Sequence, residues 1–191
     1  REAVRANDVA IEIEAGQAFG TGHHGTTAGC LIVLDHLISK RRPANALDLG
    51  TGSGVLAIAL AKIAKCPVLA TDIDPVATHV ATSNAKLNGT AGNIRFETAT
   101  GLTHRAFIEE GPFDLIVANI LARPLMRLAP EIAIALASGG QLVLSGILAT
   151  QRRMVLAAFR QAGLFHRQTL YQSESPNTPY WICSDYQMYL S

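Results

Sequence analysis

The stretch DLGTGSG, Asp48 to Gly54, sets one carboxylate and three glycines within seven residues, at the end of the short apolar run Asn45–Gly50 and directly before the mostly apolar run Val55–Ala64. A strand that turns into a helix through glycine lets the backbone pass close to a ligand and leaves the first helix amides free to bind one. A phosphate or a carboxylate fits such a turn. Asp48 narrows the choice, because a carboxylate at the strand end repels a pyrophosphate and can accept from an ammonium group. A ligand with an amino-acid head therefore suits the turn better. The spacing agrees: a dinucleotide fingerprint G-x-G-x-x-G needs its third glycine where this chain has Val55, which disfavours a nicotinamide oxidoreductase. A second carboxylate, Asp72, ends the next apolar run Pro67–Asp72, 22 residues beyond Gly50. An acid there can take both hydroxyls of a ribose, with Ile73 beside it to press on an adenine face.

These residues need elements to hold them, and the chain supplies strand-then-helix alternation, the pattern of a mostly parallel sheet covered by helices on both faces. Asn45–Gly50, Pro67–Asp72, Asn93–Glu97, Phe113–Asn119 and the run QLVLSG (141–146) read as strands. Helices are expected over Thr26–Lys40, Val55–Ala64, Pro75–Leu87, Pro124–Ala137 and Thr150–Ala162. Pro75 stands where proline is best tolerated, in a first turn, and Asn88-Gly89 makes a left-handed stop. Gly139-Gly140 is expected just past its helix. Two last strands, Phe165–Tyr171 and Trp181–Tyr189, are joined by a loop too short for a crossover helix, which predicts an antiparallel last pair. SESPNTP (173–179) reads as the one mobile loop.

Composition bounds the rest. A chain of 191 residues, 49% hydrophobic and 16% charged, can fill one core without staples. The formal charge of +1 gives no broad reason to expect direct nucleic-acid binding. Lys40–Arg42, Arg152 and Arg153 read as solvated helix ends. Cys30, Cys66 and Cys183 are odd in number and show no C-x-x-C spacing, which suits a reducing, cytoplasmic setting. The most apolar runs are cut by Asp35, His36 or Lys62 before the roughly eighteen residues a membrane span needs. His23 and His24 are adjacent, with no carboxylate or cysteine close by, so no metal site is expected. His36, His79, His104 and His166 read as ordinary helix or loop residues. The chain opens at Arg1 with no initiator methionine and no leader, and is read as a piece of a longer protein.

D-x-G-x-G-x-G with an acid at the next strand end resembles the signature of S-adenosylmethionine-dependent methyltransferases of the Rossmann-like, seven-stranded class I. Within that class the sequence resembles the family of methyltransferases that modify the eleventh protein of the large ribosomal subunit. The residues that carry the resemblance are AFGTGHHGTT (18–27), DLGTGSGVLAIA (48–59), DIDPVA (72–77), NAKLNG (84–89), VANILARPL (117–125), LAPEI (128–132) and SGIL (145–148). The resemblance implies an α/β fold with a mostly parallel sheet and an antiparallel last strand. It also implies S-adenosylmethionine as cofactor and, as substrate, lysine or N-terminal amino groups of a large-subunit ribosomal protein.

Cofactor contacts implied by the family fall on Thr27, Gly50, Asp72 and Asn119, with Phe19, Thr21 and Gly22 in a loop over the methionine end; Asp48, Gly52 and Ile73 join them from the reading of the turn. Asn119 stands where related amino-group methyltransferases orient the acceptor nitrogen. Its amide and the Ile120 carbonyl can hold that nitrogen in line with the methyl group. With Ile120 next and no proline or tyrosine after it, a glutamine- or DNA-adenine-modifying enzyme is disfavoured. Family members also carry an N-terminal substrate-recognition domain, which the resemblance places outside this chain. Residues 1–25 then read as linker and cofactor-covering loop, and 26–191 as the catalytic domain. Two alternatives remain open: a binding module with the same fold that transfers nothing, and a methyltransferase for another protein or a small amine.

Overall fold

The computed structural model describes residues 9–14, 25–172 and 181–188. Strands β1 (Ala46–Leu49), β2 (Val68–Asp72), β3 (Ile94–Thr98), β4 (Phe113–Asn119), β5 (Leu136–Leu148), β6 (Leu164–Gln172) and β7 (Trp181–Met188) form one sheet in the order β3-β2-β1-β4-β5-β7-β6. Neighbours among the first five run parallel, and β7 lies antiparallel between β5 and β6. β1 is buried along its whole length, and β4 is buried at Leu115–Ala118, as strands covered on both faces should be. The chain runs outward from β1 through β2 to β3 and then returns to β4 on the other side of β1. That reversal opens a crevice beyond the carboxyl ends of β1 and β4.

Helices α1 (Gly25–Lys40), α2 (Val55–Ile63) and α3 (Pro75–Leu87) contribute to one core, and α4 (Arg105–Glu110), α5 (Ala122–Ala135) and α6 (Arg152–Gln161) to the other. α2 is apolar nearly all round because Val55–Ala61 are all buried, beneath α1 and α3 as well as on the sheet. α3 starts as its sequence requires: Asp74 Oδ1 accepts from Val76 N at 2.8 Å, with Pro75 in the first turn. No helix among the described residues is long and apolar enough to cross a membrane.

Three local expectations change. α5 begins at Ala122 rather than Pro124, since a proline in the first turn gives up only an amide that has no partner anyway. At its other end the chain enters β5 at Leu136 with no intervening loop. Gly139-Gly140 therefore lies within the strand, in an excursion between Leu136, which pairs with Phe113, and Gln141, which pairs with Leu115. Gly139 takes a left-handed φ of 70° there. α4 is an element the periodicity does not announce; six residues are too few to show a 3.6-residue repeat, and what fixes it is burial of Ala106 and Phe107. The loop 173–179 lies outside the described residues.

At the end of the sheet away from the crevice, one side chain joins the two central strands. Asn45 Nδ2 donates to the carbonyls of Glu110 (2.7 Å) and Pro112 (3.1 Å), and its Oδ1 accepts from Asp114 N at 2.9 Å. Asn45→Ala removes all three bonds and leaves a partly buried amide unmatched. It is expected to cost about 2–3 kcal/mol, read from the urea unfolding midpoint.

Candidate functional site

The crevice is built on the turn after β1. Gly50 N and Thr51 N both donate to the Thr71 carbonyl, at 2.8 and 2.9 Å, which ties the turn to the end of β2. Asp72 binds it from the same side: Oδ2 accepts from Gly52 N at 2.9 Å, and Oδ1 from Asp74 N at 3.0 Å. Each oxygen keeps a second lone pair for a further donor. Ile73 follows directly and is 72% exposed, an apolar side chain on the rim with nothing over it among the described residues. Gly50 has φ 78°, and a Cβ there would overlap Ile120 Cγ2, so the close approach of β1 and β4 at this level demands glycine. The third glycine of the run does another job. Gly54 lies against Ala81, where a Cβ would come within 3.0 Å of that residue's own, so it sets the packing of α2 on α3.

Asp48 lies beneath the turn, fully buried. Its Oδ2 accepts from Thr51 Oγ1 at 2.7 Å and from Ala57 N at 3.0 Å. It thereby caps the first turn of α2 from inside the sheet, a place where Gly54 offers no capping side chain. The acid is therefore not displayed openly at the strand tip; it is enclosed, and half of it is already used. Its other oxygen, Oδ1, has no partner among the described residues. Burial pushes the Asp48 carboxyl up to about 7; the bonds from Thr51 and Ala57 oppose this, and the nearby Asp72 charge adds to it. A buried acceptor without a partner fits a ligand that brings an N–H donor or a positive charge.

Across the crevice, at the ends of β4 and β5, Asn119 pairs in register with Ser145. Asn119 Nδ2 donates to Thr27 Oγ1 (3.4 Å) and Thr26 Oγ1 (3.5 Å), and Ser145 Oγ donates to the Thr26 carbonyl at 3.2 Å. The start of α1 is thus fastened to the tips of two strands. Thr27 and Ser145 are buried, while Asn119 is partly exposed. Ser145, Thr51 and the Ile120 side chain belong to this assembly, although spacing alone assigned them no part. The available signals for Ser145 were its place near the end of an expected strand and in the motif SGIL (145–148). The motifs NAKLNG and LAPEI turn out to be scaffolding: Asn84 Nδ2 donates to the Ser53 carbonyl at 2.8 Å, and Glu131 Oε2 accepts from Leu102 N at 2.9 Å in the loop after β3. Phe19, Thr21, Gly22, His23 and His24 lie outside the described residues. Among the described residues, no cluster of three His, Cys, Asp or Glu side chains is placed to hold a metal.

Because the folded chain holds the Asp48 proton more tightly than the unfolded chain, this group's contribution is favourable in acid and is lost as pH rises from the ordinary carboxylate range toward about 7. Asp48→Asn keeps an acceptor for Thr51 and Ala57 without the charge. Relative to the native chain, the variant is expected to gain about 2–3 kcal/mol between pH 5 and pH 8, read from urea unfolding at both. A constant difference across that range would mean that Asp48 does not titrate there.

A sequence model of the family described as ribosomal protein L11 methyltransferase (PrmA) matches residues 1–185. A ribosomal protein L11 methyltransferase of Rhizobium etli is 62% identical over 173 residues, 91% of this chain and 59% of that protein. One of Agrobacterium fabrum is 57% identical over 174 residues, covering 91% and 60%. The chain thus spans about 59% of the length of the curated relatives it matches. Among solved structures, a ribosomal protein L11 methylase of Lactobacillus delbrueckii subsp. bulgaricus superposes with TM-score 0.82 at 33% identity, over 100% of this chain and 91% of that one. The N-methyltransferase NodS of Bradyrhizobium japonicum, in complex with S-adenosyl-L-homocysteine, superposes with TM-score 0.67 over 83% of each chain; at 20% identity it speaks for the fold alone. On the match of the family model over nearly its whole length, the chain belongs to the ribosomal protein L11 methyltransferase family.

Proposed function

We propose that this chain transfers methyl groups from S-adenosylmethionine to amino groups of a large-subunit ribosomal protein, lysine ε-amines, the N-terminal α-amine or both, in the cytoplasm. Family membership supports the activity and the substrate class. The observation that carries the cofactor is the buried Asp48 Oδ1, without a partner among the described residues, beneath a glycine turn: an ammonium group and a positive sulfur seated on that turn would offset the charge of a carboxyl that is otherwise half-matched. In this reading Gly50 and Gly52 give the ligand backbone to lie against, and Asp72 takes the ribose hydroxyls. Ile73 covers an adenine face, and Thr27 and Asn119 meet the methionine end. Phe19, Thr21 and Gly22 are proposed as the loop over it, with residues 26–191 as the catalytic domain and 1–25 as linker and covering loop.

S-adenosylmethionine supplies an electrophilic methyl group on a sulfonium. The remaining work is to present a neutral amine in line with it and to keep water away. An α-amine with pKa near 8 is about one-tenth neutral at pH 7, whereas a lysine near 10.4 is so only about once in 2,500, a deficit of roughly 4.6 kcal/mol. The side chains bonded to Asn119 are the hydroxyls of Thr26 and Thr27, neither of them a base at neutral pH. This favours orientation of the amine by Asn119 and the Ile120 carbonyl, with the proton lost to water as the ammonium is desolvated before attack.

Calorimetry with S-adenosylmethionine, S-adenosylhomocysteine and NAD tests the cofactor, and tighter binding of NAD would overturn the proposal. Labelled methyl groups are expected to pass to under-methylated ribosomal protein from this chain or from a version extended to the full length of its relatives. Cofactor binding without transfer by either would leave a binding module. Asn119→Ala is expected to lower kcat by about 100-fold and to raise the Kd for S-adenosylhomocysteine by less than about tenfold.

A further inference from the structure

Outside the crevice, residues 9–14 run in extended form over α2 and α3. Ile11 and Ile13 are half-buried against the core under α1 and α2, and Glu12 and Glu14 point outward. Side chains, rather than a neighbouring strand, take up the backbone of this segment. Asn88 Oδ1 accepts from Glu12 N at 3.0 Å and Asn88 Nδ2 donates to the Glu12 carbonyl at 2.6 Å, the two-bond pairing a strand would make. Lys62 Nζ donates to the Ala10 carbonyl and, at 2.9 Å, to Asn88 Oδ1. One turn of α3 earlier, Asn84 Oδ1 accepts from Glu14 N at 3.1 Å while its Nδ2 donates to the Ser53 carbonyl at 2.8 Å.

Ser53 stands in the glycine turn, between Gly52, whose amide is held by Asp72, and Gly54, whose amide donates to the Thr51 carbonyl at 2.9 Å. Asn84 therefore has one end on the segment and the other on the turn, and it is fully buried. We infer that residues 9–14 are a positioning element of the crevice, with Asn84 relaying their attachment to the turn that Asp48 and Asp72 hold. If the segment comes off, Asn84 Oδ1 loses Glu14 N, one of the two bonds that fix the carboxamide, and rotation of the freed side chain weakens its bond to the Ser53 carbonyl. Such coupling is reciprocal, so a ligand seated on the turn must hold the segment more firmly.

This inference rests on the proposed function only for the choice of ligand, so its test has one arm without any. Asn88→Ala loosens the segment and also removes the bond from Asn88 Nδ2 to the Asn84 carbonyl (2.8 Å) but none to the turn, and amide exchange is followed residue by residue by NMR. In the ligand-free variant the amides of Gly52 and Gly54 are expected to exchange at least about fivefold faster, while Asp114 N, bonded to Asn45 at the far end of the sheet, keeps its native rate. Unchanged exchange at Gly52 and Gly54 overturns the inference, and so does an equal rise at all three sites. Lys62→Met, which removes the cationic tie and leaves the Asn88–Asn84 bond in place, is expected to show the same pattern, and its absence there overturns the inference. In the second arm, saturating S-adenosylhomocysteine is expected to slow the amides of Glu12 and Glu14 in the native chain at least about threefold. Binding with no such slowing overturns the inference alone, whereas no binding at all counts against the proposed cofactor and leaves the ligand-free arm to decide the coupling.

Discussion

A helix that begins one turn after a buried strand must find partners for its first amides, and here a single carboxylate from the strand itself provides one. Asp48 Oδ2 holds both the Thr51 hydroxyl and the Ala57 amide, so the central strand, the glycine turn and α2 share one anchoring atom. The arrangement has a built-in tension. The carboxyl is fully buried, it is pushed up to about 7, and its second oxygen goes unmatched among the described residues. Replacing it by an apolar residue would relieve the desolvation but release the turn. Keeping it leaves a buried carboxyl that is half-matched among the described residues, the feature on which the proposed recognition of a cationic ligand rests.

The opposite wall of the crevice has a different character. Asn119, Thr26, Thr27 and Ser145 form a hydrogen-bonded patch of neutral groups at the tips of β4 and β5. None of them moves a proton at neutral pH, and none repels a cation. A carboxylate side on β1 and β2 facing a neutral amide side on β4 is the arrangement on which the proposed methyl transfer rests. The close approach that makes the two walls meet rests on Gly50, which leaves room for the Ile120 side chain.

Scaffolding around the site is largely done by amide side chains. Asn45 joins the amino ends of β1 and β4, Asn84 joins the glycine turn to the N-terminal segment, and Asn88 pairs with that segment as a strand would. An amide donates and accepts at once, so each of these residues can satisfy backbone groups of both kinds where regular pairing stops. Of the motifs that carry the resemblance, NAKLNG belongs to this framework rather than to the crevice surface.

Much of this was legible from the chain alone, because it depends on near neighbours. The strand–turn–helix at Asp48–Gly54, the acid at the next strand tip, the Asp74-Pro75 start of α3 and the mostly parallel sheet all follow from local spacing and period, as does the family resemblance that spans them. What spacing could not supply depends on distant partners and on water being excluded. Asn119 meets Thr27 across 92 residues of chain, Asn88 meets Glu12 across 76, and Asp48 is flanked in register by Ala70 of β2 and Val117 of β4, both buried. The run Asp48–Gly54 therefore determined what kind of turn forms. Only the tertiary structure decided that its carboxylate would be dry and half-matched, since desolvation is a property of everything packed against a group and not of the group itself.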